Sequence, residues 1–271
     1  MLKNAVDMHI HTAPDVVPRS VTDIGAARQA SEAGMRAIML KNHVTPTYAR
    51  AAVASEAVPE VGVYGGIVLN AQVGGINPDA VETACAMGAK CVWMPTASSA
   101  RHISHFKTTA KPVAVFDDKG APVPGLMDVF AIVAKADIIL ATGHLAPEES
   151  VAVLDLARKA GIKKLLVTHP EFEAVSMPIS LQKELAKQGV FFERCFYAAN
   201  SAQKLPVECV AEEIKQAGWE STIVSSDFGQ DYNLPPVEGL ALFLKELARC
   251  GIAESSLQRM VCDHPVAMLG L

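Results

Sequence analysis

Short apolar runs alternate along the chain with longer amphipathic or alanine-rich stretches. The apolar runs fall near residues 5–12, 36–44, 61–70, 90–96, 137–144, 163–169, 190–198 and 221–227, each of a length that suits a buried strand. Between them the pattern predicts helices over 21–33, 46–57, 77–88, 126–136, 147–160, 180–188, 205–217 and 236–250, with a terminal helix near 254–269. Gly34, Gly88, Gly161, Gly189, Gly218 and Gly251 each stand just past a helix, where a left-handed residue ends it. Pro78, Pro147, Pro206 and Pro236 stand near helix starts, where a missing N–H costs nothing.

Eight strand–helix repeats in 271 residues are the arithmetic of a (β/α)8 barrel. The rival, a doubly wound open sheet, needs a glycine-rich phosphate loop after its first strand, and His11-Thr12-Ala13-Pro14-Asp15 supplies none. The expected fold class is therefore α/β: a single (β/α)8 TIM barrel over residues 1–271 with a C-terminal helix. One connection breaks the rhythm. The fourth β/α loop is enlarged, spanning about 97–124, and residues 113–123 read as a hairpin turned at Asp117-Asp118-Lys119-Gly120. A loop of that length on a compact domain is often a lid or a specificity element.

Composition narrows the partners. Half of the residues are hydrophobic, and the net charge of −5 comes with no long basic run, which argues against a nucleic-acid surface. The six cysteines form no CxxC pair or compact framework, so free thiols in a reducing compartment are expected. Residues 1–13 lack the build of a signal peptide, and no apolar run approaches the ~18 residues needed to span a bilayer. The expectation is a cytoplasmic protein acting on a small molecule, without a membrane or nucleic-acid partner; a homo-oligomer is allowed.

Candidate chemistry gathers where the apolar runs stop. His9-Ile10-His11 places two imidazoles on one strand face, since residues i and i+2 project together. Lys41 and His43 close the second strand, His144 the fifth, His169 the sixth and Asp227 the eighth, so five of the eight histidines sit at strand ends. In a barrel those ends build the active site. Any one of these side chains is more simply a core group bonded to a neighbour; the set favours a metal site. Glu193 and Arg194 are adjacent, so at most one enters the barrel. Arg101, His102, His105 and Lys107 form a small basic cluster in the enlarged loop, a solvated surface unless the loop closes over the mouth.

This order of motifs resembles the amidohydrolase superfamily of metal-dependent barrel hydrolases: HxH on strand one, histidines closing strands five and six, and an aspartate closing strand eight. The tail Asp263-His264-Pro265-Val266-Ala267-Met268-Leu269-Gly270-Leu271 is similar to that superfamily's Asn-Pro-Ala-x-x-Leu-Gly-Leu ending, with His264 in place of Asn. The resemblance implies a divalent metal ion, zinc first, held by His9, His11, His144 and Asp227. His169 would bind a second ion or polarise the substrate, and Asp227 would shuttle the proton. Binuclear members carry a bridging lysine carbamate or glutamate on strand four, whereas this strand ends in Trp93-Met94-Pro95-Thr96, which points to a mononuclear site. Lys41, His43 and Arg101 are the candidate substrate-binding residues. Expected chemistry is hydrolysis of an amide, lactone or related bond in a small anionic substrate; the alternatives are a decarboxylase or other lyase on the same site, or a barrel that binds without turnover.

Overall fold

The computed structural model describes residues 1–200 and 204–271. Its strands are β1 (Val6–Ile10), β2 (Ala37–Leu40), β3 (Gly62–Tyr64), β4 (Gly66–Val68), β5 (Cys91–Trp93), β6 (Ile139–Ala141), β7 (Leu165–Thr168), β8 (Phe191–Cys195) and β9 (Thr222–Ser225). Neighbours pair in parallel, in the orders β1-β2-β3 and β4-β5-β6-β7-β8-β9. The two short segments β3 and β4 are the single strand expected over 61–70, interrupted at Gly65 so that one part pairs with β2 and the other with β5. Gly66 permits the close approach to β5, because a Cβ there would lie 2.1 Å from the Cys91 carbonyl oxygen.

Closure runs between β9 and β1. The Asp227 N–H donates to the His9 carbonyl and the His11 N–H to the Phe228 carbonyl, both at 2.8 Å. The result is a parallel (β/α)8 barrel. The helices Asp23–Glu32, Tyr48–Ala57, Pro78–Ala86, Leu126–Ala136, Pro147–Lys159, Ile179–Lys187, Val207–Ala217 and Pro236–Arg249 match their expected spans to within about two residues. None is long and apolar enough to cross a membrane, and the cysteines are free thiols.

Apolar packing separates inside from outside. Ile10, Ile38, Leu40 and Val224 belong to one buried apolar cluster with Leu240, Phe243 and Leu247 of the last long helix. Val6, Met8, Met39, Trp93 and Leu166 fill the barrel, and Met268 and Leu269 of the terminal helix join that cluster. His264 lies with Nδ1 2.7 Å from the Thr222 carbonyl, which ties this helix to β9. With the floor filled, functional groups are confined to the C-terminal mouth.

Two local features aim the site. β1 carries one extra residue against β2 between Asp7 and Ile10, a bulge of the kind found beside active sites. The His9 N–H in this bulge donates to Asp7 Oδ1 at 3.2 Å, and the same oxygen accepts the Ser226 N–H at 3.1 Å. The enlarged loop contains the expected hairpin, with Asp117 N–H donating to the Ala121 carbonyl at 2.8 Å. It also contains an unexpected helix, Ala100–Phe106, capped by Ser99 and held to the mouth by a 2.8 Å bond from Ser99 Oγ to the His144 carbonyl.

Candidate functional site

A cavity of about 370 Å³ opens at the C-terminal ends of the strands, walled by His11, Lys41, His43, His144, His169 and Asp227. His9 lies buried at its floor. Nε2 of His9 and Nε2 of His11 each stand 3.1 Å from Asp227 Oδ1, so that one carboxylate oxygen sits between the two imidazoles predicted from the HxH motif. Lys41 Nζ lies 3.0 Å from His9 Nε2, and Glu193 Oε2 lies 3.0 Å from His9 Nδ1. Lys41 is buried rather than extended to the rim.

Backbone conformation contributes to this convergence. Asp227 has φ +53° and His169 φ +26°, left-handed values that Asp and His tolerate better than most side chains. Such conformations persist where surrounding structure enforces them, and they cluster at functional sites. Next along the chain, the ring of Phe228 stacks on Phe196, which stacks in turn on Phe243, the Phe196–Phe228 and Phe196–Phe243 centroids being 5.2 and 4.9 Å apart. Gly229 then passes so close to β1 that a Cβ would lie 1.7 Å from the His11 carbonyl oxygen.

Burial dominates the electrostatics. It lowers His11 and His102 to about 4 and His169 to about 3, and it holds His43 and His144 well below the usual imidazole range. These rings are neutral near pH 7 and keep a lone pair. Burial would lower His9 too, but the carboxylates of Asp227 and Glu193 outweigh it and its pKa is raised. Burial would raise Asp227; the charge on His9 and the hydrogen bonds from His11 and His9 reverse this and hold it well below the carboxylate range. Lys41 is lowered by burial.

Two imidazole nitrogens and a carboxylate oxygen, buried and within 4.8 Å of one another, are a donor set that zinc and related divalent ions accept. The residues therefore fit a metal ion. His169 adds a buried Nδ1 that has no hydrogen-bond partner among the described residues.

The other expected residues fall in different places. His144 stands apart from the His9–His11–Asp227 cluster: its ring centroid is 4.8 Å from that of His169 and 5.8 Å from that of His43, and its Nδ1 is 2.9 Å from His102 Nδ1. His43 Nδ1 lies 2.8 Å from Thr96 Oγ1, at the end of the fourth expected strand. Arg101 lies elsewhere. Its Nε donates to the Ala174 carbonyl at 2.7 Å and it does not line the cavity; the helix turns its neighbour His102 into the mouth instead.

Several cavity residues carry no motif. Arg19 comes from the β1 loop, where it pairs with Asp15 at 2.6 Å and approaches His11 Nδ1 at 3.5 Å. Phe172, Tyr197 and Tyr232 give the wall an aromatic side. None of these four had a signal in the sequence, whereas His102, which also lines the cavity, stood in the basic cluster of the loop.

The comparisons with known proteins agree with this architecture. An amidohydrolase from Pseudomonas aeruginosa is 12% identical, with a TM-score of 0.66 over 98% of this chain and 95% of that one. The organophosphorus hydrolase from Deinococcus radiodurans is 13% identical, with a TM-score of 0.63 over 98% and 92%. The phosphotriesterase homology protein from Escherichia coli, solved with phosphate in its active site, is 11% identical, with a TM-score of 0.62 over 99% of each chain. At these identities the likeness is one of fold alone. A search of the curated proteins found none that matches. A family model described as a family of unknown function matches residues 4–193, a span that holds His9, His11, Lys41, His144, His169 and Glu193. The chain belongs to that family, DUF6282.

Proposed function

We propose that the protein is a metal-dependent hydrolase that cleaves an amide, lactone or related bond of a small anionic substrate, using one divalent ion, zinc first, held by His9, His11 and Asp227. The observation that carries this reading is the convergence of His9 Nε2 and His11 Nε2 on Asp227 Oδ1, each at 3.1 Å, at the floor of the mouth cavity. A divalent ion held by these residues would lower the pKa of a water molecule toward neutrality and would polarise the bond to be cut.

The chain's own groups supply the rest. Asp227 stays ionised and can accept a proton on its carboxylate and return it to the leaving atom. Neutral His169 can donate one N–H to the oxygen on which charge develops. Lys41 and Arg19 are the cations of the cavity wall and would hold an anionic group, while Phe172, Tyr197 and Tyr232 would cover the apolar part of the substrate.

A screen of N-acyl amino acids, lactones and carboxylate-bearing amides, run on chelator-treated protein before and after zinc is restored, tests the reading. Ring opening or amine release that needs zinc and falls by about 10²–10⁴ in Asp227→Asn supports it. Release of CO2 would favour the lyase, and saturable binding without product the non-catalytic barrel.

A further inference from the structure

We propose that Glu193 is a positioning residue that fixes His9 in the tautomer presenting Nε2 to the metal, an inference that rests on the metal-centre reading above. Strand alternation puts it there. On β8 the adjacent Arg194 points outward to Glu171, to Gln182 at 2.7 Å and to Glu213 at 3.1 Å, which leaves Glu193 facing the barrel interior, fully buried.

Both carboxylate oxygens are engaged. Oε2 lies 3.0 Å from His9 Nδ1, and Oε1 accepts a 3.2 Å hydrogen bond from Ser225 Oγ. A buried carboxylate is costly unless it is paired and hydrogen-bonded, so these two contacts are what its burial rests on. With Oε1 accepting from Ser225 Oγ, Oε2 is the acceptor for the Nδ1–H of His9, so the proton the ring gives up to a metal is the one on Nε2, and the lone pair then lies there. That is the nitrogen 3.1 Å from Asp227 Oδ1. The ring thus stands between two acids with different tasks: Glu193 orients it from behind, and Asp227 shares its front with His11. A carboxylate behind a ligating histidine also raises its basicity as a donor.

Glu193 could alternatively be a ligand itself, because His9, Glu193 and Cys195 form a second buried group. Cys195 argues against this. Its Sγ lies 3.8 Å from His9 Nδ1, the nitrogen already held by Glu193 Oε2, and 4.0 Å from the Glu193 carbonyl oxygen. With Oε1 committed to Ser225 and Nδ1 to Oε2, that trio has no complete donor set.

The test measures zinc affinity by chelator competition on the full chain for wild type, Glu193→Gln and Glu193→Ala, and reads the His9 ring nitrogens by ¹⁵N NMR in the zinc-loaded wild type. Zinc should bind about 10–100-fold more weakly to the Ala variant, and the Gln variant, which keeps an acceptor oxygen, should recover part of the loss. In the wild type His9 should carry its proton on Nδ1, protected from exchange, with zinc on Nε2. An affinity in the Ala variant within about twofold of wild type overturns the proposal, as does a wild-type His9 with zinc on Nδ1. If the Ala variant does not fold, the Gln variant and the wild-type spectrum decide. A wild type that takes up no zinc overturns the metal reading as well, whereas zinc binding indifferent to Glu193 overturns this inference alone.

Discussion

Lys41 is the residue whose role changes most on folding. A lysine at a strand end is easily a rim residue with its head in water, yet this one is buried, with Nζ 3.0 Å from His9 Nε2 and 5.7 Å from the Trp93 ring centre. If it holds an anionic group of the substrate, Lys41→Met should raise KM by about 10–100-fold, the size of a lost charge-assisted hydrogen bond, and leave bound zinc unchanged. Loss of zinc in the same variant would instead make Lys41, as a carbamate, part of the metal centre. No effect on either quantity would remove it from the site. His9, His11, His169 and Asp227 were legible because each ends an apolar run, so periodicity alone dictates its position. The face of Glu193 was not, because alternation on one strand has two phases and only the neighbouring strands choose between them. Arg101 and His102 show the same limit on a helix, where one residue is a rotation of about 100° and an unexpected turn exchanges the neighbours' roles.

At the level of elements, the seam between β1 and β9 joins fold and site, and Asp7 lies in it. Both N–H groups freed by the bulge and the strand exit, those of His9 and Ser226, are taken by Asp7 Oδ1, while Oδ2 is buried without a partner among the described residues. Burial pushes Asp7 up from 3.8 to about 7, so the folded chain favours the protonated acid. The contribution of this group to stability is fully present below about pH 4 and is lost as pH rises toward 7, by an amount on the order of 4 kcal/mol. Asp7→Asn keeps an accepting oxygen and cannot ionise. Thermal melts of chelator-treated protein from pH 4 to 7 should therefore show a smaller loss of Tm in this variant than in wild type. Parallel curves would place the titration of Asp7 outside the stability of the seam. Neither the bulge nor the helix Ala100–Phe106 could be read in advance, because the bulge is a property of the pairing with β2 and the helix packs on groups distant in sequence, Phe106 lying 5.8 Å ring to ring from Phe172.

For the whole molecule, the same eightfold alternation that made the barrel legible also assigns its two ends. Met268 and Leu269 help fill the bottom, and the polar side chains that interrupt apolar runs are left at the top. Glycines and prolines at helix ends reported backbone geometry directly, which is why most helix limits were recovered, whereas the division of the third strand at Gly65 depends on which neighbour each half meets. The barrel expected from the motif order is the observed fold; among the four expected donors, the ligand atoms of His9, His11 and Asp227 lie within 4.8 Å of one another, and His144 Nδ1 lies 2.9 Å from His102 Nδ1. The proposed function requires this mouth to hold one divalent ion on His9, His11 and Asp227. Its most direct test is an anomalous difference map at the zinc edge from crystals of the zinc-loaded protein. We expect one strong peak about 2.0–2.2 Å from His9 Nε2, His11 Nε2 and an Asp227 carboxylate oxygen; no peak there, or zinc bound only at surface residues, would contradict the account.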